Sequence, residues 1–165
     1  MQRRNFFKTL LAATAVTALM PSAIAKPTSH SDAVNKIIKP KRLKAGDTIG
    51  LIAPASNVWQ DEDIYFATDI LKSLGFKVKH SKNLFKRYGY LAGQDKERAD
   101  DVNTMFADKT IDGIFCIRGG YGTPRILPYL DYELIKKNPK ALVGYSDITA
   151  LLNAITARTG LITFH

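Results

Sequence analysis

A serine between small and polar residues is the strongest candidate for chemistry in this sequence. It lies in the segment Gly144-Tyr145-Ser146-Asp147-Ile148-Thr149, between an apolar run and a helical pattern. A serine at a sharp strand-to-helix turn exposes its hydroxyl at the sheet edge, and the backbone N–H groups that follow point at an oxyanion forming beside it. The pattern is close to Gly-x-Ser-x-Gly, with Ile148 in place of the last glycine. An ordinary helix N-cap is an equally open interpretation of Ser146 from this segment alone.

A glycine-rich segment, Arg118-Gly119-Gly120-Tyr121-Gly122, is the second candidate. Three glycines in four residues let the backbone approach a ligand closely and turn N–H groups towards an anion. The segment is neither Gly-x-Gly-x-x-Gly nor a P-loop, so nucleotide binding has weak support. A tight turn would explain the glycines as well. Arg118 could bind a carboxylate through two parallel hydrogen bonds or form a surface ion pair.

Other reactive residue types offer less. Cys116, the single cysteine, lies in an apolar run and is interpreted as a small buried hydrophobic residue, which leaves neither a disulfide nor a cysteine-rich zinc site. The acidic residues between 95 and 101 are expected to face solvent along a helix, without a paired-carboxylate site.

Short apolar runs alternate with helical patterns around these candidates. Strands are predicted at residues 47–53, 76–80, 112–117, 140–144 and 161–164. Helices are predicted at residues 61–74, 96–107 and 147–159. This alternation predicts a single α/β domain with a doubly wound, mostly parallel sheet of the flavodoxin or Rossmann-like type. In such sheets ligands bind beyond the carboxyl ends of the strands, where both candidate segments and Ala53-Pro54-Ala55-Ser56 fall.

Several segments, in this order, resemble the LD-carboxypeptidase family of muramoyltetrapeptide carboxypeptidases and microcin-immunity relatives. The resemblance runs from about Pro40 to His165, and its segments are 47–56, 116–122, 125–131, 138–140 and 144–149. It implies a serine peptidase that removes the terminal D-alanine from murein tetrapeptides in peptidoglycan recycling or remodelling. Family members use no cofactor and no metal, and they commonly form dimers, so a homodimer is expected.

The resemblance also implies roles for individual residues. Ser146 matches the nucleophile, and the backbone N–H of Asp147 with that of Gly119 or Gly120 matches the oxyanion hole. The expected substrate-binding residues are Arg118, Tyr121, Gly122 and Ser56.

The sequence departs from the family in one respect. The family uses a Ser–His–Glu mechanism whose Glu and His come from a C-terminal domain, whereas this chain ends at His165 and its other histidines are His30 and His80. None matches the catalytic histidine, and a serine without a base is a poor nucleophile. The sequence is therefore interpreted as the N-terminal part of the enzyme, whose partner is the absent C-terminal domain. An inactive module that binds peptidoglycan peptides, a microcin-immunity-type relative and a periplasmic solute-binding domain are the alternatives.

The N-terminus is interpreted as an export signal. Arg3-Arg4-Asn5-Phe6-Phe7-Lys8 precedes an apolar run from Thr9 to Met20 and a small-residue cleavage site at Ala25. Residues 1–25 thus resemble a twin-arginine signal peptide, which predicts a periplasmic protein without a stable membrane span. A general secretory signal and an uncleaved anchor are the alternatives. Residues 26–42 are interpreted as a flexible basic leader, and residues 43–165 as the domain.

The charge distribution argues against a nucleic-acid-binding protein. The 165-residue chain has a formal net charge of +9, but residues 1–44 carry most of it. Residues 45–165 hold 15 basic and 14 acidic residues, so the domain is almost neutral. The leader is interpreted as a solvated tether rather than a membrane-surface patch.

Overall fold

A computed structural model describes residues 36–165. The predicted signal peptide and leader residues 26–35 lie outside the described residues. The described strands are β1 (Thr48–Ile52), β2 (Lys77–His80), β3 (Gly113–Cys116) and β4 (Ala141–Val143). The α-helices are α1 (Glu62–Ser73), α2 (Asp95–Ala107), α3 (Thr123–Ile126), α4 (Tyr132–Lys137) and α5 (Thr149–Thr159).

The four strands form one parallel sheet in the order β2-β1-β3-β4. The chain passes from β1 outward to β2, then returns across β1 to β3, so the direction of winding reverses between β1 and β3. Ile49 of β1 pairs with Val78 on one side and Gly113 on the other. This confirms the predicted doubly wound α/β fold and puts its crevice at the carboxyl ends of β1 and β3.

Two apolar clusters cover the two faces of the sheet. The larger cluster packs α2 and α5 on β3 and β4 and includes Phe106, Ile114, Leu142 and Leu151, all fully buried. The smaller cluster packs α1 on β1 and β2. Burial on both faces explains why the strands read as short apolar runs without strict alternation. Gly50 allows the close approach of α2, since a Cβ there would lie 2.7 Å from the Met105 sulfur.

The predicted fifth strand, Leu161–Phe164, is replaced by two isolated parallel bridges. Leu161 pairs with Ile38, whereas Phe164 pairs with Val143 of β4. The segment changes neighbours within four residues, so it forms no continuous ladder. Ile38, which falls in the predicted leader, donates its N–H to the carbonyl of Gly160 at 2.8 Å.

Two short helices, α3 and α4, were not predicted from the sequence. They span four and six residues, too few for a helical period to show. Pro124 lies in the first turn of α3. The Asp131 carboxylate accepts a hydrogen bond from the Leu134 N–H and caps α4.

The prediction that the acids of α2 face solvent is wrong for Asp101. Its carboxylate is buried and accepts hydrogen bonds from the Ser81 hydroxyl at 2.6 Å and from the Asn83 amide at 2.8 Å. Burial raises the pKa of this carboxyl, against the effect of those hydrogen bonds. Asp101 therefore ties α2 to the loop after β2.

Candidate active site

Ser146 occupies a strained turn between β4 and α5. Its φ is 58°, the one positive φ among the described non-glycine residues. A non-glycine residue in this region costs roughly 1–3 kcal/mol and persists where the surroundings impose it. The side chain is exposed at the carboxyl end of β4. Gly144 makes the turn possible, because a Cβ there would overlap the side chain of Ile148. Ile148, which stands where Gly-x-Ser-x-Gly has its last glycine, therefore packs directly on Gly144.

Gly119 lies directly against this serine. A Cβ on Gly119 would be 2.9 Å from Ser146 Cβ and 3.0 Å from the carbonyl oxygen of Tyr145. The Gly119 carbonyl accepts the Ser56 N–H at 3.2 Å, and the Ser56 hydroxyl accepts the Tyr121 N–H at 3.1 Å. The structure therefore brings together the three segments that the sequence analysis placed at the carboxyl ends of the strands.

Backbone N–H groups of the serine turn and of the adjoining glycine-rich loop have no hydrogen-bond acceptor among the described residues. Within residues 36–165, the N–H groups of Gly119, Gly120 and Asp147 donate no hydrogen bond. The Asp147 carboxylate accepts the Thr123 N–H at 2.8 Å and so joins the serine turn to the start of α3. Its side chain has a structural contact, whereas its N–H is available for an oxyanion.

Arg118 contacts the loop after β1 and forms no ion pair among the described residues. Its guanidinium donates to the Asn57 carbonyl at 2.7 Å and lies 4.7 Å from the centre of the Trp59 ring. The structure does not bear out the surface ion pair that the sequence left open. The role of Arg118 in binding a carboxylate stays a prediction.

Exposed aromatic rings surround this region. Trp59 is 83% exposed and Tyr121 is 71% exposed. The rings of Tyr90 and Tyr121 meet edge to face with 6.2 Å between centroids. Tyr121 and Gly122 lie in the glycine-rich loop, and their role in binding substrate stays a prediction. The exposed rings give the rim an apolar surface.

Arg98 of α2 is the main site residue that sequence reasoning missed. It is fully buried, and its guanidinium donates to the carbonyls of Pro54 at 2.6 Å, Gly122 at 3.0 Å and Gly93 at 3.2 Å. It also pairs with the Asp95 carboxylate at 2.5 Å. Burial lowers the pKa of Arg98 against the effect of that partner. Arg98 thus connects the loop after β1 to the glycine-rich loop.

The sequence contains a signal for this arginine. Position 98 lies on the same helix face as Val102 and Met105, which are buried. An arginine within an apolar stripe is buried only when its donors find partners.

No general base reaches Ser146 within the described part of the chain. His80 lies in β2, at the opposite edge of the sheet from β4, and its Nε2 is 2.8 Å from the Thr68 hydroxyl. His165 is exposed and follows Phe164, whose carbonyl accepts the Gly144 N–H. No hydrogen bond joins the His165 ring to Ser146. The serine turn and the unpaired N–H groups of Gly119, Gly120 and Asp147 are therefore present without a proton acceptor from residues 36–165.

The position of Cys116 fits the expectation from the sequence. Cys116 is buried and burial raises the pKa of its thiol, which makes it a poor nucleophile. Among residues 36–165 no group of three or more His, Cys, Asp or Glu side chains is placed to hold a metal ion. None of the described helices is long and apolar enough to cross a membrane.

The comparison with protein families decides the assignment. A family model described as the LD-carboxypeptidase N-terminal domain matches residues 49–165, which include the whole site. The chain belongs to the LD-carboxypeptidase family. It is 49% identical over 127 residues to a Bacillus subtilis protein named probable murein peptide carboxypeptidase, covering 77% of this chain and 40% of that protein.

Two further similarities agree with the family. The chain is 41% identical over 126 residues to the microcin C7 self-immunity protein MccF of Escherichia coli, covering 74% of this chain and 36% of that protein. The crystal structure of an MccF-like protein from Bacillus anthracis superposes with a TM-score of 0.73 at 38% identity, covering 76% of this chain and 39% of the other. The chain thus spans about two fifths of the length of these relatives.

Proposed function

We propose that this chain is the nucleophile-bearing N-terminal part of an exported serine LD-carboxypeptidase that removes the terminal D-alanine from murein tetrapeptides. The observation that carries the proposal is the Ser146 turn, strained at φ 58° and in contact with the Gly119 backbone. The kinship with a protein named for murein peptides supports the substrate class.

The chemistry begins with the Ser146 hydroxyl. Its oxygen attacks the carbonyl carbon of the bond between the diamino acid and D-alanine, and its proton passes to a base. The carbonyl oxygen becomes an oxyanion, which the N–H of Asp147 and an N–H of Gly119 or Gly120 stabilise. The C–N bond then breaks, D-alanine leaves with a proton on its amine, and water hydrolyses the acyl-serine to tripeptide.

The base belongs to residues outside this chain in our proposal. The described histidines and carboxylates do not contact the Ser146 hydroxyl, and the family uses a His and a Glu from its C-terminal domain. Oxyanion donors without a base support binding and only weak turnover. The proposal therefore assigns Ser146 and the oxyanion hole to this chain, and the proton transfer to the rest of the enzyme.

The test is product analysis with the whole protein that contains this sequence. Incubation with murein tetrapeptide should release D-alanine and leave tripeptide, both measured by mass spectrometry. Tetrapeptide that binds without release of D-alanine would instead support the inactive binding module.

The kinship with MccF gives a second candidate function. A microcin-immunity-type relative would act on microcin C7 instead, and we expect it to use the same serine turn. Parallel assays of the whole protein on murein tetrapeptide and on microcin C7 separate the two. Faster cleavage of the microcin would reject the murein substrate while leaving the role of Ser146 intact.

A further inference from the structure

The charged residues of the domain are divided unevenly between the two ends of its parallel strands, which we call the amino-terminal edge and the Ser146 edge. The amino-terminal edge holds the segments that lead into the strands and the C-terminal ends of the helices, which run antiparallel to the strands. It comprises residues 36–47, 69–79, 104–112, 134–140 and 156–160. These segments carry thirteen Lys and Arg against four Asp, whereas the other described residues carry seven basic and ten acidic side chains. The net charge of +6 on residues 36–165 is therefore concentrated at the amino-terminal edge, which carries +9 against −3 for the other described residues.

The acids of this edge are already paired. Asp47 and Asp112 pair with Lys41. Asp108 pairs with Lys79, and Asp69 with Lys72. Among the exposed cations of the edge that have no ion pair in the described part of the chain, Arg158 lies over the ring of Tyr132. We name the other eight the basic edge: Lys36, Lys39, Arg42, Lys44, Lys77, Lys109, Lys136 and Lys137.

Exposed aliphatic side chains lie among these cations. Ile37 is 67% exposed beside Lys36, and Leu74 is 62% exposed at the end of α1. Among the exposed aromatic rings, Trp59, Tyr90 and Tyr121 are on the loops of the Ser146 edge. Phe164, which is 44% exposed, lines an apolar pocket beside Lys39 and Arg42. A surface that binds nucleic acid combines cations with stacking rings or base-reading groups, whereas a surface that binds a bilayer combines cations with aliphatic side chains.

We infer that the basic edge is a docking surface for a bilayer of anionic phospholipid, which replaces the interpretation of leader residues 36–42 as a solvated tether. Charge complementarity supports the partner, because each Lys or Arg near such a surface contributes about fivefold to binding. The position of the leader supports it too, since residues 36–44 enter the domain along this edge. A domain held in this way turns Ser146, at the opposite edge, away from the membrane. The inference does not depend on the catalytic role of Ser146.

The experiment compares two double variants of the whole protein that contains this sequence. Lys136→Glu/Lys137→Glu reverses two charges of the basic edge, and the control Lys82→Glu/Lys96→Glu makes the same charge change elsewhere. Co-sedimentation is measured with vesicles of phosphatidylcholine alone and with 30% phosphatidylglycerol at 0.1 M salt. All proteins share residues 1–35, so the contribution of those residues to binding cancels in the comparison. Circular dichroism checks that each variant is folded.

The basic-edge variant should bind the anionic vesicles about tenfold more weakly or worse, and the control within a factor of about two of the unaltered chain. Leu74→Ser should also weaken vesicle binding although it changes no charge. Equal losses in the two double variants would overturn the inference. So would equal binding to neutral vesicles, or tighter binding to duplex DNA or inorganic polyphosphate than to the anionic vesicles.

Discussion

At the scale of single residues, the contact between Gly119 and Ser146 allows a substitution whose effect on catalysis can be distinguished from its effect on stability. Gly119→Ala puts a methyl group 2.9 Å from Ser146 Cβ, so the serine turn or the glycine-rich loop must shift. Misplacement of catalytic groups by about 1 Å costs on the order of 100-fold in rate. We expect Gly119→Ala to lower kcat of the whole enzyme by about 100-fold, measured as D-alanine release.

Gly113→Ala is the matched control for this substitution. It crowds the Leu43 side chain at 3.0 Å at the start of β3, at the other end of the sheet. Overpacking of this kind costs roughly 1–3 kcal/mol of stability in either variant. An equal loss of kcat in the two variants would show that Gly119 acts through stability alone.

At the scale of elements, the contact between β2 and α1 predicts a dependence of stability on pH. The Thr68 hydroxyl donates to the Ile64 carbonyl at 2.7 Å, so it accepts from His80 Nε2. Burial, followed by the charge of Lys72, lowers the pKa of His80 below its usual 6.5. As the pH falls below 6.5 the unfolded chain takes up this proton first, and the free energy of unfolding decreases.

Urea unfolding between pH 7 and 5 measures this effect. His80→Gln keeps a donor for Thr68 but does not titrate, so its free energy of unfolding should fall less over this range. An identical slope in the two proteins would contradict the assignment to His80.

Arg98 connects the loop after β1 to the glycine-rich loop, so its removal should lower the stability of the domain. Arg98→Met leaves three carbonyls and the Asp95 carboxylate without this donor. Breaking a buried pair in this way costs about 3 kcal/mol. Urea unfolding should show that loss, whereas Lys96→Met, an exposed change on the same helix, should shift stability by less than about 0.5 kcal/mol. A small effect of Arg98→Met would mean that the loops hold their positions without it.

The elements also show how far a sequence can be interpreted. Strands β1 to β4 and helices α1, α2 and α5 can be predicted from the sequence, because the spacing of apolar residues within each segment is sufficient to indicate them. The short helices α3 and α4 are set by a proline and an Asp cap rather than by periodicity. Pairing of Ile38 with Leu161 joins residues more than 120 positions apart, and nothing in either segment encodes it. Burial of Arg98 depends likewise on carbonyls from three separate loops.

At the scale of the whole molecule, the predicted export of the chain remains a proposal that mass spectrometry can test. A twin-arginine signal is expected to be removed after Ala25. Arg3→Lys/Arg4→Lys keeps the charge but replaces both arginines, so it should leave the uncleaved protein in the cytoplasm. Intact mass of the exported and cytoplasmic fractions measures both effects. An exported protein that still begins at Met1, or export that survives the double substitution, would contradict this interpretation.

The division of labour between this chain and the rest of the enzyme rests on Ser146 as the nucleophile. The most direct measurement is D-alanine release from murein tetrapeptide by the whole protein carrying Ser146→Ala. We predict a loss in kcat of about 10⁴-fold or more, while Ser73→Ala, an exposed serine at the end of α1, retains full activity. D-alanine release that persists in Ser146→Ala at the rate of the unaltered protein would contradict the account.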